Sequence, residues 1–458
     1  SGAPYPLLDM SQTPPGPPPR RAARREVLRA LRDLALWPAR LGAFSLERDA
    51  IAGAVRRDLD SPVPELLDVE LPQLGDRPLR ILLSCGETSG EAHAVRLIEP
   101  LRALAAEAGA PEPELSGLGG NALRAAGVRV IGDPTSRATM GGKGVTRELS
   151  YYLKLLESCA TRMRDWRPDV FVGVDAPALH VPLAHIARSY GVPVVHHIAP
   201  QYWAWAPWRV KAYKRVVDRA LCIMPWESSW LARHGVGQAY VGHPQMDVLA
   251  ELPAAPPDSE RRTLVLLPGS RKGEISSHLA WMLEAVRPLR ATVPDLEVVV
   301  AQQRHDHAQT VLGLIAADGS PTRLEVGDLH GTLGRARSAL AVSGTVLTDL
   351  LHHRVPTVVI YAARGALGGW FGSFLLTCHW FASTNLLARD TVLPEFAFKE
   401  GSKGPLEEVG GLLVRCYNDE SWRARCVQGL ERAARRIGPP GAALRAARHI
   451  LDIAARRP

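Results

Sequence analysis

Four runs of this sequence place acids, arginine, hydroxyls and glycines where strand-like segments end. In Pro168-Asp-Val-Phe-Val-Gly-Val-Asp175-Ala-Pro177 an apolar stretch closes on a carboxylate. Such an acid can serve as general base toward a hydroxyl; the same place also suits an Asp that caps the following helix. Gly86-Glu87-Thr88-Ser89-Gly90-Glu91 is a glycine-rich turn after an apolar run at 79–85. It is neither GxGxxG nor a P-loop, since no Lys follows. Its acids favour a hydroxyl-rich ligand over phosphate, with Glu87 and Ser89 as candidates; the alternative is a helix start whose dipole favours acids. Leu264-Val-Leu-Leu-Pro-Gly269-Ser270-Arg271 ends in a small-residue turn and an arginine, which offer backbone N–H groups and a guanidinium fork to phosphate. Ser343-Gly344-Thr345 opens a helix that carries Asp349. The turn suits a pyrophosphate and Asp349 the hydroxyls of a ribose. Capped tight turns are the alternative for this pair.

Further candidates are weaker. Tyr202, Trp203, Trp205 and Trp208 crowd one loop, flanked by Arg209, Lys211, Lys214 and Arg215. Aromatic faces pack on sugar rings and acyl chains, or anchor a loop to its own domain. His243, in Tyr240-Val-Gly-His-Pro244, either contacts a ligand or holds a hinge. His196-His197 and His352-His353 are adjacent pairs that point to opposite faces, and His305 and His307 lack a further ligand, so no metal site is expected. The 6 cysteines are scattered without a CxxC pair, which speaks against zinc and a disulfide framework and favours reduced thiols in the cytosol.

The elements that position these residues follow from hydrophobic patterning. Strands are expected at 79–85, 115–118, 128–131, 169–175, 192–198, 220–224 and 239–242, then at 263–267, 297–302, 323–326, 339–342 and just before Tyr361. Alternation with helical stretches predicts an α/β fold of parallel sheets covered on both faces. A proline-rich linker at 252–257 separates the two series, which predicts two Rossmann-like domains facing a cleft, at 79–250 and 258–400. Residues 401–458 read as C-terminal helices. Residues 1–78 form an extension: a Pro-rich start without the pattern of a signal peptide, then an amphipathic helix within 20–60. Its Arg20, Arg21, Arg24, Arg25, Arg29 and Arg32 interleave with leucines. The helix either docks on the body or meets a membrane surface with Trp37 and Phe44 near the headgroups. No apolar run reaches the roughly 18–20 residues of a spanning helix. The net charge of +8 is compatible with acidic partners, and with no nucleic-acid motif in view, nucleic acid ranks last among them.

Taken in order, these motifs resemble the bacterial lipid-A-disaccharide synthase family. The matching pieces are Gly86-Glu-Thr-Ser-Gly90, Met140-Gly141, Pro168 to Pro177, Ala199-Pro-Gln-Tyr-Trp-Ala-Trp205, Pro225-Trp-Glu227, Val241-Gly-His-Pro244, Leu267-Pro-Gly-Ser-Arg-Lys-Gly-Glu-Ile275, Ser343-Gly-Thr345, Asn385-Leu-Leu387 and Leu393-Pro-Glu-Phe396. The resemblance implies a GT-B-like fold with an N-terminal acceptor domain and a C-terminal UDP-sugar domain. It implies an inverting transfer from UDP-2,3-diacylglucosamine to 2,3-diacylglucosamine 1-phosphate, with no metal or other cofactor. The enzyme would be peripheral on the inner face of the cytoplasmic membrane, and a dimer with exchanged C-terminal segments. Asp175 would be the essential acid, Arg271 the essential arginine and Glu87 part of the catalytic turn. Gly269, Ser270, Ser343, Gly344, Thr345, Asp349, Asn385 and His243 would hold the donor; Ser89, Met140, Trp203 and Trp205 would meet the acceptor. The sequence departs from the family pattern at Glu91, Gly144, Ala178 and His180, around the acceptor side. The alternatives are another GT-B-type UDP-sugar transferase or epimerase, or a non-catalytic paralogue that binds lipid or UDP-sugar.

Overall fold

The Val-, Leu- and Ile-rich runs form two all-parallel sheets in a computed structural model. It describes residues 16–66, 69–138, 145–253, 260–363 and 376–456. One unit comprises Ser1–Ala54, Ser61–Pro244 and Pro439–Pro458; the other comprises Val55–Asp60 and Gln245–Gly438.

The first unit holds β1 (Arg80–Cys85), β2 (Glu114–Leu118), β3 (Arg129–Gly132), β4 (Val170–Val174), β5 (Val194–His197), β6 (Arg219–Cys222) and β7 (Gln238–Tyr240). Their order is β3-β2-β1-β4-β5-β6-β7. The chain therefore walks outward from β1, then returns to lay β4 on its other side. On one face Ile81, Leu83, Val170 and Val172 pack under Leu97, Ile98 and Leu101 of helix Thr88–Glu107. The opposite face carries Ser84, which meets His180 of helix Pro177–Ser189, as the two-residue period of a strand requires.

The second unit holds β8 (Thr263–Leu267), β9 (Glu297–Gln302), β10 (Arg323–Val326), β11 (Ala336–Val342), β12 (Thr357–Ala363) and β13 (Glu395–Lys399). The order is β10-β9-β8-β11-β12-β13, with the reversal between β8 and β11. Leu264, Leu266, Val298, Val300 and Leu340 pack on Ile275, Leu279 and Met282 of helix Lys272–Ala285, and on Val409 and Leu413 of helix Leu406–Asn418.

By contacts the chain joins the second unit from Gln245, whose amide donates to Asp349 at 2.8 Å. Residues 401–458 are C-terminal helices, as expected: Leu406–Asn418 and Glu420–Ile437 belong to the second unit, and Ala442–Ala455 to the first. The extension is two helices, Pro19–Ala35 and Trp37–Leu59. Its Phe44 is only 3% exposed, and both Trp37 and Phe44 set ring edges against Trp208, at 5.4 and 5.5 Å. These aromatics join the extension to the body, and leucines face solvent instead.

Helix Ala442–Ala455 adds Ala446, Ala447, Ile450 and Leu451 to the core beneath β4 and β5. Ile450 has no exposed surface. Ile450→Ala is expected to destabilise the first unit by about 2–5 kcal/mol, the usual range for truncating a core isoleucine. Denaturant unfolding checks this, and an unchanged midpoint would show that the helix is dispensable to the core.

Candidate active site

In each sheet the chemistry-bearing turns follow the two strands at which the order reverses. Such a switch point is where open parallel sheets leave room for a ligand at their carboxyl ends. In the first unit the strands are β1, which leads into Glu87, and β4, which leads into Asp175. Cys85 lies opposite Val174 in the register, so the two turns start level.

Asp175 and Ala176 both have left-handed backbone, with φ of 54° and 41°. For non-glycine residues this costs about 1–3 kcal/mol each and persists only where the surroundings impose it. Here they do. The Asp175 N–H donates to the His197 carbonyl at 2.9 Å. The Asp175 carbonyl accepts from His180 Nδ1 at 2.5 Å and from His196 Nε2 at 2.9 Å. Glycine at 86 lets the turns touch, since a Cβ there would lie 2.6 Å from that of Ala176. Burial lifts the Asp175 carboxyl above its ordinary range and the charge of Glu87 adds to the lift, while the Ala176 N–H opposes it. Burial also keeps the surrounding imidazoles neutral: His180, His197 and His243 are pushed down to about 3, His93 and His196 to about 4.

The other first-unit candidates divide. Glu87 precedes helix Thr88–Glu107, and Ser89 in its first turn is exposed. Glu91 is buried, and its Oε1 accepts from the N–H groups of Gly120 and Leu123 at 2.7 and 3.1 Å, so it caps the short helix Asn121–Ala125. Trp203 is 2% exposed, donates to Glu227 at 3.2 Å and packs edge-on against Trp226. It anchors its loop and offers no face to an acceptor. Trp205 is 38% exposed, with the Arg209 guanidinium 4.9 Å from its ring centre, and remains available. His243 is buried. Met140 and Gly144 lie outside the described residues.

In the second unit β8 and β11 flank the reversal, so Gly269-Ser270-Arg271 and Ser343-Gly344-Thr345 follow neighbouring strands. Gly344 and Thr345 are exposed, and the Ser343 hydroxyl donates to the Phe381 carbonyl at 3.3 Å. The residue that the sequence reading missed is Glu274. Its carboxylate accepts from the N–H groups of Ser270 and Arg271 at 3.1 and 3.2 Å, and from the Arg271 guanidinium at 2.8 Å. The backbone donors of Ser270 and Arg271 and the Arg271 guanidinium, expected to hold a phosphate, thus already converge on one anion. The spacing of a capping box, with Glu three residues past the start, was the available signal. Gly269 has φ of 108°, and a Cβ on it would lie 2.7 Å from Glu274.

Asp349 and Asn385 are both buried. Asp349 is 5% exposed; Gln245 donates to its carboxylate, and His330 lies 4.0 Å away. Burial raises its pKa, against the effects of Gln245 and His330. Asn385 has no exposed surface. Its amide donates to the Leu393 carbonyl and to Glu395 at 2.8 and 3.1 Å, and its oxygen accepts from the N–H groups of Val392 and Leu393 at 3.0 and 2.9 Å. It ties helix Ser383–Ala388 to the lead into β13 and has no donor or acceptor to spare. The Val392 N–H keeps a second acceptor in the Asp390 carbonyl at 3.0 Å, so Asn385→Ala orphans the buried Leu393 N–H, at roughly 1–3 kcal/mol. The expected outcome is a matching loss of stability in urea unfolding; weakened UDP binding at unchanged stability would assign Asn385 to the donor site instead.

A family model described as lipid-A-disaccharide synthetase matches residues 81–424. A lipid-A-disaccharide synthase of Myxococcus xanthus is 33% identical over 383 residues, covering 82% of this chain and 98% of that protein. One from Solibacter usitatus is 30% identical over 394 residues, covering 81% and 98%. Among solved structures, S. aureus MnaA with UDP superposes with a TM-score of 0.52 at 14% identity, over 80% of this chain and 94% of that one. The Neisseria meningitidis UDP-GlcNAc 2-epimerase bound to UDP-GlcNAc gives 0.50 at 10% identity, over 76% and 94%. At these identities the structural likenesses speak for the GT-B-like fold alone. The match to the family model over most of the length, and to relatives covered almost end to end, shows that the chain belongs to the lipid-A-disaccharide synthetase family.

Proposed function

We propose that this chain is an inverting hexosyltransferase that joins UDP-2,3-diacylglucosamine to 2,3-diacylglucosamine 1-phosphate, forming a β-1,6 bond and releasing UDP. The observation that carries the reading is the setting of Asp175. A buried carboxyl at the switch point of the first unit, held by its backbone and raised in pKa, suits a general base. Asp175 takes the proton of the acceptor 6-hydroxyl as that oxygen attacks the anomeric carbon from the side opposite UDP. The C1–O bond to the diphosphate breaks in the same displacement, which inverts the centre. In the second unit the Arg271 guanidinium and the N–H groups of Ser270, Arg271, Gly344 and Thr345 stabilise charge that develops on UDP. Glu274 releases the Arg271 guanidinium and the N–H groups of Ser270 and Arg271 to the diphosphate as the donor binds. Glu87 keeps the proton affinity of Asp175 high, and Ser89 and Trp205 lie on the acceptor side.

The helices of the extension suit an anionic membrane surface, where both substrates reside. Leu28, Leu31, Leu34 and Leu46 are 64, 58, 69 and 90% exposed, and Arg20, Arg21, Arg24, Arg25 and Arg32 are exposed beside them. Apolar insertion and roughly 1 kcal/mol per surface arginine would hold the chain at the headgroups. No helix among the described residues is long and apolar enough to cross a membrane. In the homodimer that the resemblance implies, the apolar face of helix Ala442–Ala455 would close the first unit of a second copy.

Acceptor-dependent UDP release with a disaccharide product tests the reaction. Asp175→Asn should lower kcat by about 100-fold or more, within the span of a general base, while UDP binding persists; full activity in this variant would remove Asp175 from the mechanism. The base must be ionised, so the rate falls as pH drops through its raised pKa. Glu87→Gln removes a neighbouring negative charge, lowers that pKa and should move the acid limb of kcat/KM to lower pH. For the membrane, the full chain should pellet with vesicles containing phosphatidylglycerol, and Leu28→Ser/Leu31→Ser/Leu34→Ser should shift it to the supernatant. Equal pelleting of both would assign those leucines no part in docking.

A further inference from the structure

Two neutral imidazoles hold one carbonyl oxygen, that of Asp175 itself. A carbonyl only accepts, so His180 Nδ1, 2.5 Å away, and His196 Nε2, 2.9 Å away, both carry protons. Burial keeps both rings neutral, and a neutral ring has a single N–H. His180 Nε2 is therefore an acceptor, and the Ser84 hydroxyl, 3.0 Å away and fully buried, donates to it. The chain of bonds has one direction: from Ser84 on β1, through His180 on the helix after β4, to the Asp175 carbonyl, where His196 from β5 meets it. The two rings stand edge to face, 5.8 Å apart. Room for His180 exists because residue 173 is glycine: a Cβ there would lie 2.8 Å from His180 Cγ.

We infer that His180, together with His196, is a positioning residue that holds the Asp175–Ala176 peptide in its left-handed turn and so aims the Asp175 carboxylate. Both lone pairs of the carbonyl oxygen are engaged, while the Asp175 N–H is held by His197 at 2.9 Å. With both ends of the residue fixed, its Cα–Cβ direction is fixed as well. Neither imidazole needs to touch substrate for this, and neither exchanges a proton in the reaction. The inference rests on the reading of Asp175 as the base.

The test uses the full chain and steady-state UDP release, with Asp175→Asn measured alongside. His180→Phe keeps the ring volume without a donor. His180→Asn keeps a donor at the δ position, as Nδ2 replaces Nδ1. The expected result is a kcat about 10- to 100-fold lower for His180→Phe, the scale of a reacting group displaced by about an ångström, with the donor KM within about twofold. His180→Asn should recover most of that loss. Should His180→Phe fold poorly, His180→Asn against His180→Ala makes the same comparison, because only the former retains the donor. Wild-type kcat in His180→Phe and His180→Ala, with Asp175→Asn inactive, would overturn the positioning role and leave the base standing. Equal losses in His180→Asn and His180→Ala would overturn it too, as packing alone would then explain them. Full activity in Asp175→Asn would overturn both the base and the inference.

Discussion

A parallel strand buried on both faces has room for a polar, reactive side chain chiefly where it ends. Water is excluded along its length, and its own amides are used by its neighbours, so the strand body is confined to groups such as Ser84 that find partners inside. That constraint organises both units. At the reversal of each sheet, neighbouring connections run off to opposite faces and leave the carboxyl ends open. Asp175 and the Glu87 turn occupy that position in the first sheet, Arg271 and the Ser343 turn in the second. The positions of the motifs thus follow from strand order rather than from spacing along the chain.

Within the first unit the setting of the site is dominated by desolvation. Among the described residues, five histidines near the strand ends are held neutral, chiefly by burial, and the carboxyls of Asp175 and Glu227 are both raised. Glu227 reaches about 7 although three donors converge on it, the Trp203 indole and the N–H groups of Ile223 and Met224. Geometry here is held by neutral hydrogen bonds, which avoid the desolvation penalty of buried ion pairs. The second unit is different around its anion-type turn, where Arg271 and Glu274 pair in the open and the bond is correspondingly easy to exchange.

The fold was legible wherever burial is continuous along a strand. The runs that became β1, β4, β8 and β9 are nearly unbroken apolar segments, and turn residues bound them. Strand β13 was missed because Phe396 and Phe398 alternate with Glu395, Ala397 and Lys399, the signature of a half-covered edge. Of the site, the strand-end acid and the two small-residue turns were visible as residue types. Their partners were not: Gln245 and His196 act through contacts that only the folded chain creates, and Glu274 left no more than the spacing of a capping box. The same reason explains the aromatics. Whether Trp203 meets ligand or core depends on Glu227 and Trp226, more than twenty residues away in sequence. Asn385 looks from its motif like a ligand-binding amide, yet all its hydrogen-bonding capacity is spent on the 392–395 segment.

The return of helix Ala442–Ala455 to the first unit has a consequence for biosynthesis. Strands β1 to β7 leave the ribosome early, yet the alanines and Ile450 that close their core come last, after the whole of the second unit. Chains usually mature from the N-terminus as they are made. Here the second sheet can finish first, while the nascent first sheet waits with apolar surface uncovered for some two hundred residues of translation. Loop closure over that distance is slow rather than costly. The interval is therefore one in which a chaperone would guard the chain against aggregation.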